Sequence, residues 1–238
     1  DVKTGQVVST NDGHFAVLGE KGSTLSVRQI SKYGYEYLRD GTQQTSFNFW
    51  DWMPEKAFHS DPNQPVVFRV RKKEPPTLVI PGDFHPQLKY SGDVRAVDLV
   101  QREVWKLGVD ATREYPELTQ DLLVTVQQDE SKSECTVTLS TTNAMDGVLM
   151  SDDLLYVAPV SGYQSKVEFS LPMGARNEAK RFYLKGRGGN LYARIDVNLI
   201  AYPERLFFTM RTWANPRGER NLDYDETLYR QYREQQRR

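Results

Sequence analysis

The sequence predicts an all-β chain of two antiparallel β-sandwiches, and three observations carry that expectation. Apolar residues recur with period 2 along most of the chain, as they do where alternate side chains of a strand face a core. A sustained 3.6-residue period is almost absent. Gly, Asn, Asp and Pro interrupt the alternating runs at short intervals, which is the punctuation of hairpins.

In order along the chain, "HFAVL" (His14–Leu18) places Phe15 and Val17 on one face, and "TLSVRQI" (Thr24–Ile30) places Leu25 and Val27 opposite Ser26 and Arg28. Between them "GEKG" (Gly19–Gly22) has hairpin length and glycines that supply positive φ, so Ser9 to Val27 reads as turn, strand, hairpin loop and strand. A connection rich in aromatic and turn-forming residues leads to "VVFRVRKK" (Val66–Lys73), where Val66, Phe68 and Val70 alternate with Arg69 and Arg71. The paired prolines of "EPPTLVIPG" (Glu74–Gly82) suggest a stiff linker and a domain boundary, giving a first domain over 1–74.

The second domain, 75–225, holds six strand candidates in succession: "DLLVTVQQ", "ECTVTLS", "KVEFSL", "RFYLKG", "NLYARIDVNLIAY" and "RLFFTMRTWANP". "GRGGN" (Gly186–Asn190) should close the hairpin between the fourth and fifth. Along the fifth, Leu191, Ala193, Ile195, Val197 and Leu199 face inward while Tyr192, Arg194, Asp196 and Asn198 face outward. The charged tail 226–238 changes character: Asp225 can cap a short helix, with Glu226 and Arg230 at i, i+4 and arginines toward the C-terminal end of the dipole. The tail is expected to be frayed or docked on a partner.

Composition narrows the function classes. In 238 residues, 31 Lys and Arg balance 32 Asp and Glu, so no global field draws in nucleic acid or an anionic membrane. Aromatic residues at 11% argue for a packed core rather than disorder. No apolar run approaches the ~20 residues of a transmembrane helix. The single cysteine, Cys135, shares a strand face with Val137 and Leu139 and reads as a small buried hydrophobe.

Motifs for chemistry are missing. The three histidines each have an aspartate two positions away (Asp12 and His14, His59 and Asp61, Asp83 and His85), which could offer metal ligands on a strand. All three pairs lie in turn-rich segments where Asp is favoured for backbone hydrogen bonds, so they read as structural or solvated. There is no HExxH, no G-x-S-x-G and no G-x-x-x-x-G-K-[ST]. No catalytic, cofactor-binding or metal residue is assigned, and a hydrolase would need a site that the sequence does not display. In "WANPRGERNL" (Trp213–Leu222), Arg217 and Arg220 could bind an oxyanion, but turn-stabilising bonds are the preferred reading.

The N-terminal third also carries a recognisable order: Asn11-Asp12-Gly13-x-Phe15, the Gly19–Gly22 hairpin, Leu25-Ser26-Val27, Lys32-Tyr33-Gly34-Tyr35, and Pro65-Val66-Val67-Phe68-Arg69 before Lys72-Lys73. In this order the chain resembles the carboxypeptidase regulatory-like domain, in the version carried by planctomycete and verrucomicrobial proteins to which no activity is assigned. "SGYQSKVEFSLP", "KRFYLKGRGGNLYARIDV" and "WANPRGERNLDYD" extend the resemblance to about Asp225, with Glu219 where those proteins tend to have Ser. The resemblance implies a transthyretin/prealbumin-like first sandwich and an extracytoplasmic protein, whether periplasmic, cell-surface or secreted. It also implies further strands before Asn11, which this chain lacks. Their absence would leave an edge at Phe15 and Val17 open to strand addition in a homo-oligomer or by a protein partner, unless the chain has been trimmed upstream.

One further surface is a candidate. Tyr33, Tyr35, Tyr37, Trp50 and Trp52, with Arg39 and Asp51 as polar neighbours, could stack on sugar rings and bind their hydroxyls. The competing and preferred reading uses these rings to fill a small core and cover a sheet edge. The expected protein is thus a non-enzymatic structural or interaction module, with carbohydrate binding as the alternative.

Overall fold

The structure, a computed structural model, describes residues 3–237 apart from 12, 19–21, 39–43, 51, 62, 108–117, 130 and 132. It is mostly β-strands in several antiparallel sheets, with one short C-terminal α-helix. The chain divides into two compact units, Asp1–Lys73 and Glu74–Arg238.

Unit 1 contains two small ribbons. β1 (Thr24–Ser26) pairs with β3 (Ser46–Asn48), placing Leu25 opposite Phe47. β2 (Tyr35–Tyr37) pairs with β4 (Val70–Lys72), placing Glu36 opposite Arg71. Two expectations fail here. Residues 14–18 form no strand, and the strand partner of β1 is β3 rather than "HFAVL". Phe47 supplies the reason: it is buried and packs its ring on Phe58 at 4.7 Å, so the register that buries Phe47 wins. Residues 65–69 likewise form no strand, and Val70 is exposed while the Arg71 side chain is largely covered and bonded to Glu36. In a two-stranded ribbon no opposing layer exists to bury Val70, so the charge pair decides which face turns inward.

Unit 2 is built from strands whose alternation is strict. One five-stranded sheet runs β12-β10-β9-β7-β8, with β7 Ser91–Asp98, β8 Glu103–Lys106, β9 Leu122–Asp129, β10 Glu134–Ser140 and β12 Lys166–Pro172. The other runs β11-β13-β14-β15-β5, with β5 Ile80–Phe84, β11 Gly147–Met150, β13 Glu178–Gly186, β14 Leu191–Ala201 and β15 Arg205–Asn215. β6 (Gln87–Lys89) also pairs with β15. All six strand candidates of this region are strands. A single apolar cluster takes Val124, Val137, Leu139 and Leu171 from the first sheet and Phe182, Leu184, Ile195 and Phe208 from the second. Cys135 is buried in that cluster beside Val137 and Leu139, and burial pushes its thiol pKa up.

The expected linker is the main correction in this half. Leu78, Val79 and Ile80 are buried, and β5 begins inside "EPPTLVIPG". Pro81 is accommodated because β5 is an edge strand, where a missing N–H need not break the ladder. In the five-stranded sheet the edge strand β12 carries Lys166 and Glu168 and ends at Pro172, which discourages further pairing.

The tail is ordered as α1 (Glu226–Gln236). The Asp225 carboxylate accepts the Leu228 amide at 2.9 Å, and Arg230 donates to Glu226 at 2.9 Å, as the sequence suggested. The helix is tied to its own unit, with Arg102 Nη1 donating to Tyr229 Oη at 3.0 Å.

Candidate functional site

In unit 1 the predicted aromatic residues do not form one surface. Tyr33 is fully exposed. Tyr35 is half-buried beneath Lys32 Nζ, 4.4 Å from its ring centroid. Tyr37 tilts against Phe68, which also stacks on Phe15 at 6.0 Å. Trp50 and Trp52 form a separate near-parallel pair, 5.2 Å apart and 20° between planes, with Trp52 68% exposed. Arg39 and Asp51 lie outside the described residues. Phe15 and Val17 are 44% and 40% exposed on backbone that belongs to no strand.

The histidines stay apart. His59 Nε2 lies 3.4 Å from the Pro54 carbonyl, and His85 lies 3.4 Å from Asp83 on an exposed face. Among the described residues no group of three or more His, Cys, Asp or Glu side chains could hold a metal ion.

The two turn motifs of unit 2 are held by the chain's own hydrogen bonds. "GRGGN" joins β13 to β14 through left-handed backbone at Arg187 (φ 53°), Gly188 and Gly189. The Arg187 and Gly188 amides, which could cradle an anion, donate to the Asp146 carboxylate at 3.0 and 2.7 Å. The Arg187 guanidinium turns inward: Nε and Nη2 donate to Asp121 at 2.7 and 2.9 Å, and Nη2 also donates to Asp98 at 3.0 Å. Asp98 further accepts the amides of Val100, Gln101 and Thr119, and Asp121 accepts that of Leu99. This cluster fastens the β13–β14 hairpin of one sheet to the ends of β7 and β9 in the other. Sequence reasoning missed it because the two aspartates sit 66 and 89 positions from Arg187.

Burial outweighs Arg187 at Asp121 and holds that carboxyl above the ordinary carboxylate range. The folded chain therefore binds this proton more tightly than the unfolded chain does. Its contribution to stability is complete below the unfolded pKa and is lost as pH rises through the raised folded value. Melting temperatures of the parent and Asp121→Asn across pH 4–8 should show the parent gaining on the variant as pH falls. A parent that loses ground to the variant in acid would contradict this.

"WANPRGERNL" is knotted by turn-stabilising bonds, the reading preferred from the sequence. The Asn215 side chain is fully buried and donates to the Asn221 carbonyl at 2.8 Å while accepting the Arg217 amide at 3.0 Å. Arg220 Nε donates to the Ala158 carbonyl at 2.6 Å. Glu219 accepts from Thr77 Oγ1, and Asn221 Nδ2 donates to the Pro75 carbonyl at 2.8 Å. Gly218 has φ 72°, and a Cβ there would lie 2.9 Å from the Gly189 carbonyl oxygen, so the turn accepts no side chain.

The outer face of the six-stranded sheet carries a second cluster that the sequence placed in solvent. Arg194 sits between Tyr183 of β13 and Trp213 of β15, and is only 6% exposed. Its guanidinium carbon lies 3.7 Å from the Trp213 ring centroid and 5.4 Å from that of Tyr156. Backbone pairing of Tyr156–Ala158 with Arg220–Leu222 holds the loop bearing Tyr156 across this end of the sheet.

No protein-family model matches the chain, and no curated protein or solved structure matches it either. Among the described residues no helix is long and apolar enough to cross a membrane.

Proposed function

We propose that the chain is a non-enzymatic interaction module of the bacterial extracytoplasmic space, in which unit 2 is the rigid base and unit 1 carries the contact surface. The observation behind this reading is the contrast in burial. Unit 2 encloses a large apolar cluster, whereas in unit 1 Phe47 is the one buried hydrophobic side chain among the described residues. Leu18, Tyr33, Trp52 and Val67 of unit 1 are all more than 60% exposed. Covering one such side chain gains about 1.5–3 kcal/mol, so a partner that covers several has a substantial driving force. The edge strands β5, β8 and β12 of unit 2 carry charge or proline, which favours association through unit 1.

In this reading unit 2 is a two-sheet sandwich, supported by the single apolar cluster fed from both sheets, and unit 1 is a transthyretin-type domain whose exposed apolar side chains a partner covers. The assignment to the carboxypeptidase regulatory-like family and the location outside the cytoplasm rest on the sequence resemblance. Sedimentation velocity over a concentration series is the test. Reversible self-association is expected, weakened by the double substitution Phe15→Ser and Val17→Ser. A chain that remains monomeric at every concentration overturns the self-association.

The Trp50–Trp52 pair favours a second reading, carbohydrate binding. An indole held parallel to its neighbour keeps its other face available for a sugar ring. Trp52→Ala should then abolish retention on an insoluble polysaccharide while leaving the circular dichroism spectrum unchanged. Equal retention of parent and variant would eliminate the platform.

A further inference from the structure

We propose that the β14–β15 hairpin of unit 2 carries a binding site for a sugar acid, seated on Tyr202 and held by Arg205. The turn Tyr202–Glu204, with Arg205 and Phe207 at the start of β15, lines a cavity of about 340 Å³ that opens to solvent. That volume lies at the small end of ligand sites, which run from about 300 to 1,000 Å³, and it admits one ring rather than a polymer. The turn is clamped twice: the Tyr202 amide donates to the Arg205 carbonyl at 3.0 Å, and the Tyr202 carbonyl accepts from Tyr90 Oη at 2.6 Å. The Tyr202 ring meets Phe207 edge to face, 5.1 Å between centroids and 66° between planes, and is 42% exposed. It is an aromatic platform in a fixed orientation with room beside it.

Arg205 supplies the polar recognition. Its guanidinium lies over the Phe207 ring at 5.3 Å, and Nη1 donates to Gln87 Oε1 at 3.1 Å. Among the described residues no acceptor meets Nε or Nη2, the two donors that share one edge of the guanidinium. Arg205 is exposed, so that edge is open to a ligand. Lys89 stands directly opposite Arg205 on β6, and like charges in that relation repel. The nearby carboxylate of Asp93 does not relieve them, because Lys106 holds it at 2.7 Å. Glu204 lines the cavity and, among the described residues, forms no salt bridge with either cation.

These groups select the ligand class. A carboxylate matches the Nε–Nη2 edge with two parallel bonds and offsets the repulsion between Arg205 and Lys89. The C–H face of a pyranose covers Tyr202, and its hydroxyls donate to Glu204. An aromatic acid offers the carboxylate and a ring but no donor, so it sets a like charge beside Glu204. A neutral sugar leaves the arginine edge in water, and a zwitterionic amino acid leaves the cations in excess. A sugar acid satisfies the platform, the cations and Glu204 together. The site lies in unit 2 and uses neither Trp50 nor Trp52.

The test follows backbone amide signals of the full chain labelled with ¹⁵N while sodium glucuronate is added at constant ionic strength, with glucose, benzoate and sodium chloride as comparisons. Glucuronate should give saturable shifts at Glu204 and Arg205. Glucose and benzoate should each bind at least about tenfold more weakly, because each lacks one set of bonds to a charged group. Arg205→Gln should lose the glucuronate response and melt with the parent, since the side chain is exposed. Lys89→Gln, on the neighbouring strand, should weaken binding without touching the turn. Trp52→Ala should keep the whole response, which separates this site from the aromatic pair of unit 1. Glucose or benzoate binding as tightly as glucuronate overturns the proposal, as do shifts that chloride reproduces. So does a glucuronate affinity that is unchanged in Arg205→Gln or Lys89→Gln, or that vanishes in Trp52→Ala.

Discussion

Arg187→Ala should destabilise unit 2 by about 3–5 kcal/mol, because it strands buried carboxylates that have lost their counter-charge. Asp98 and Asp121 are 1% and 3% exposed, and the guanidinium is their shared cation. Arg187→Lys should cost less than Ala but more than the parent, since an ammonium cannot reproduce the forked contact with Asp121. Adding Asp121→Asn to Arg187→Ala should recover part of the loss by removing one stranded charge. Urea unfolding followed by circular dichroism measures all three. A loss below about 1 kcal/mol for Arg187→Ala would mean that the pair is screened like a surface ion pair and does not fasten the sheets.

Phe182→Ala should cost a comparable amount, about 3–5 kcal/mol, for a different physical reason. Phe182 is fully buried on β13, and its ring lies 5.7 Å from that of Phe169 on β12 of the other sheet. Truncation leaves a void between two hydrogen-bonded ladders that cannot move together without breaking register. The same urea experiment applies, and Phe182→Leu should retain most of the stability because it keeps much of the volume. If both variants unfold at the parent's urea midpoint, the apolar cluster is not what holds the two sheets.

The two substitutions separate what was legible in the sequence from what was not. Phe182 belongs to an alternating run, and period-2 alternation alone places it on the inner face of a strand. Arg187 belongs to a run of glycines, and the sequence marks only a hairpin there. The partners of Arg187 are set by which strand ends the fold brings to the same corner. Arg194 shows the same limit in reverse: alternation turns it outward correctly, but outward means solvent only if nothing covers that face. Tyr156, from a loop 38 positions away, covers it.

Unit 1 was less legible because its alternating runs are short and its apolar residues exceed what two ribbons can bury. "HFAVL" and "VVFRV" alternate as well as the strands of unit 2 do, yet neither forms a ladder over its full length. Strand pairing is a non-local choice, and in unit 1 it is made by single contacts, Phe47 on Phe58 and Arg71 with Glu36.

By itself, the sequence determined the β class, the six long strands of unit 2, the "GRGGN" hairpin, the Asp225-capped helix and the inward face of β14. These depend on interactions within a few residues, where alternation, turn chemistry and capping act directly. Tertiary structure alone decided that "EPPTLVIPG" enters the sheet, that Asp146 fills the anion nest of the hairpin, that Arg187 joins the two sheets, and that Arg194 lies buried on Trp213. Each of these depends on groups far apart in the chain, whose approach is governed by the packing of whole sheets and leaves no local signal in the order of residues.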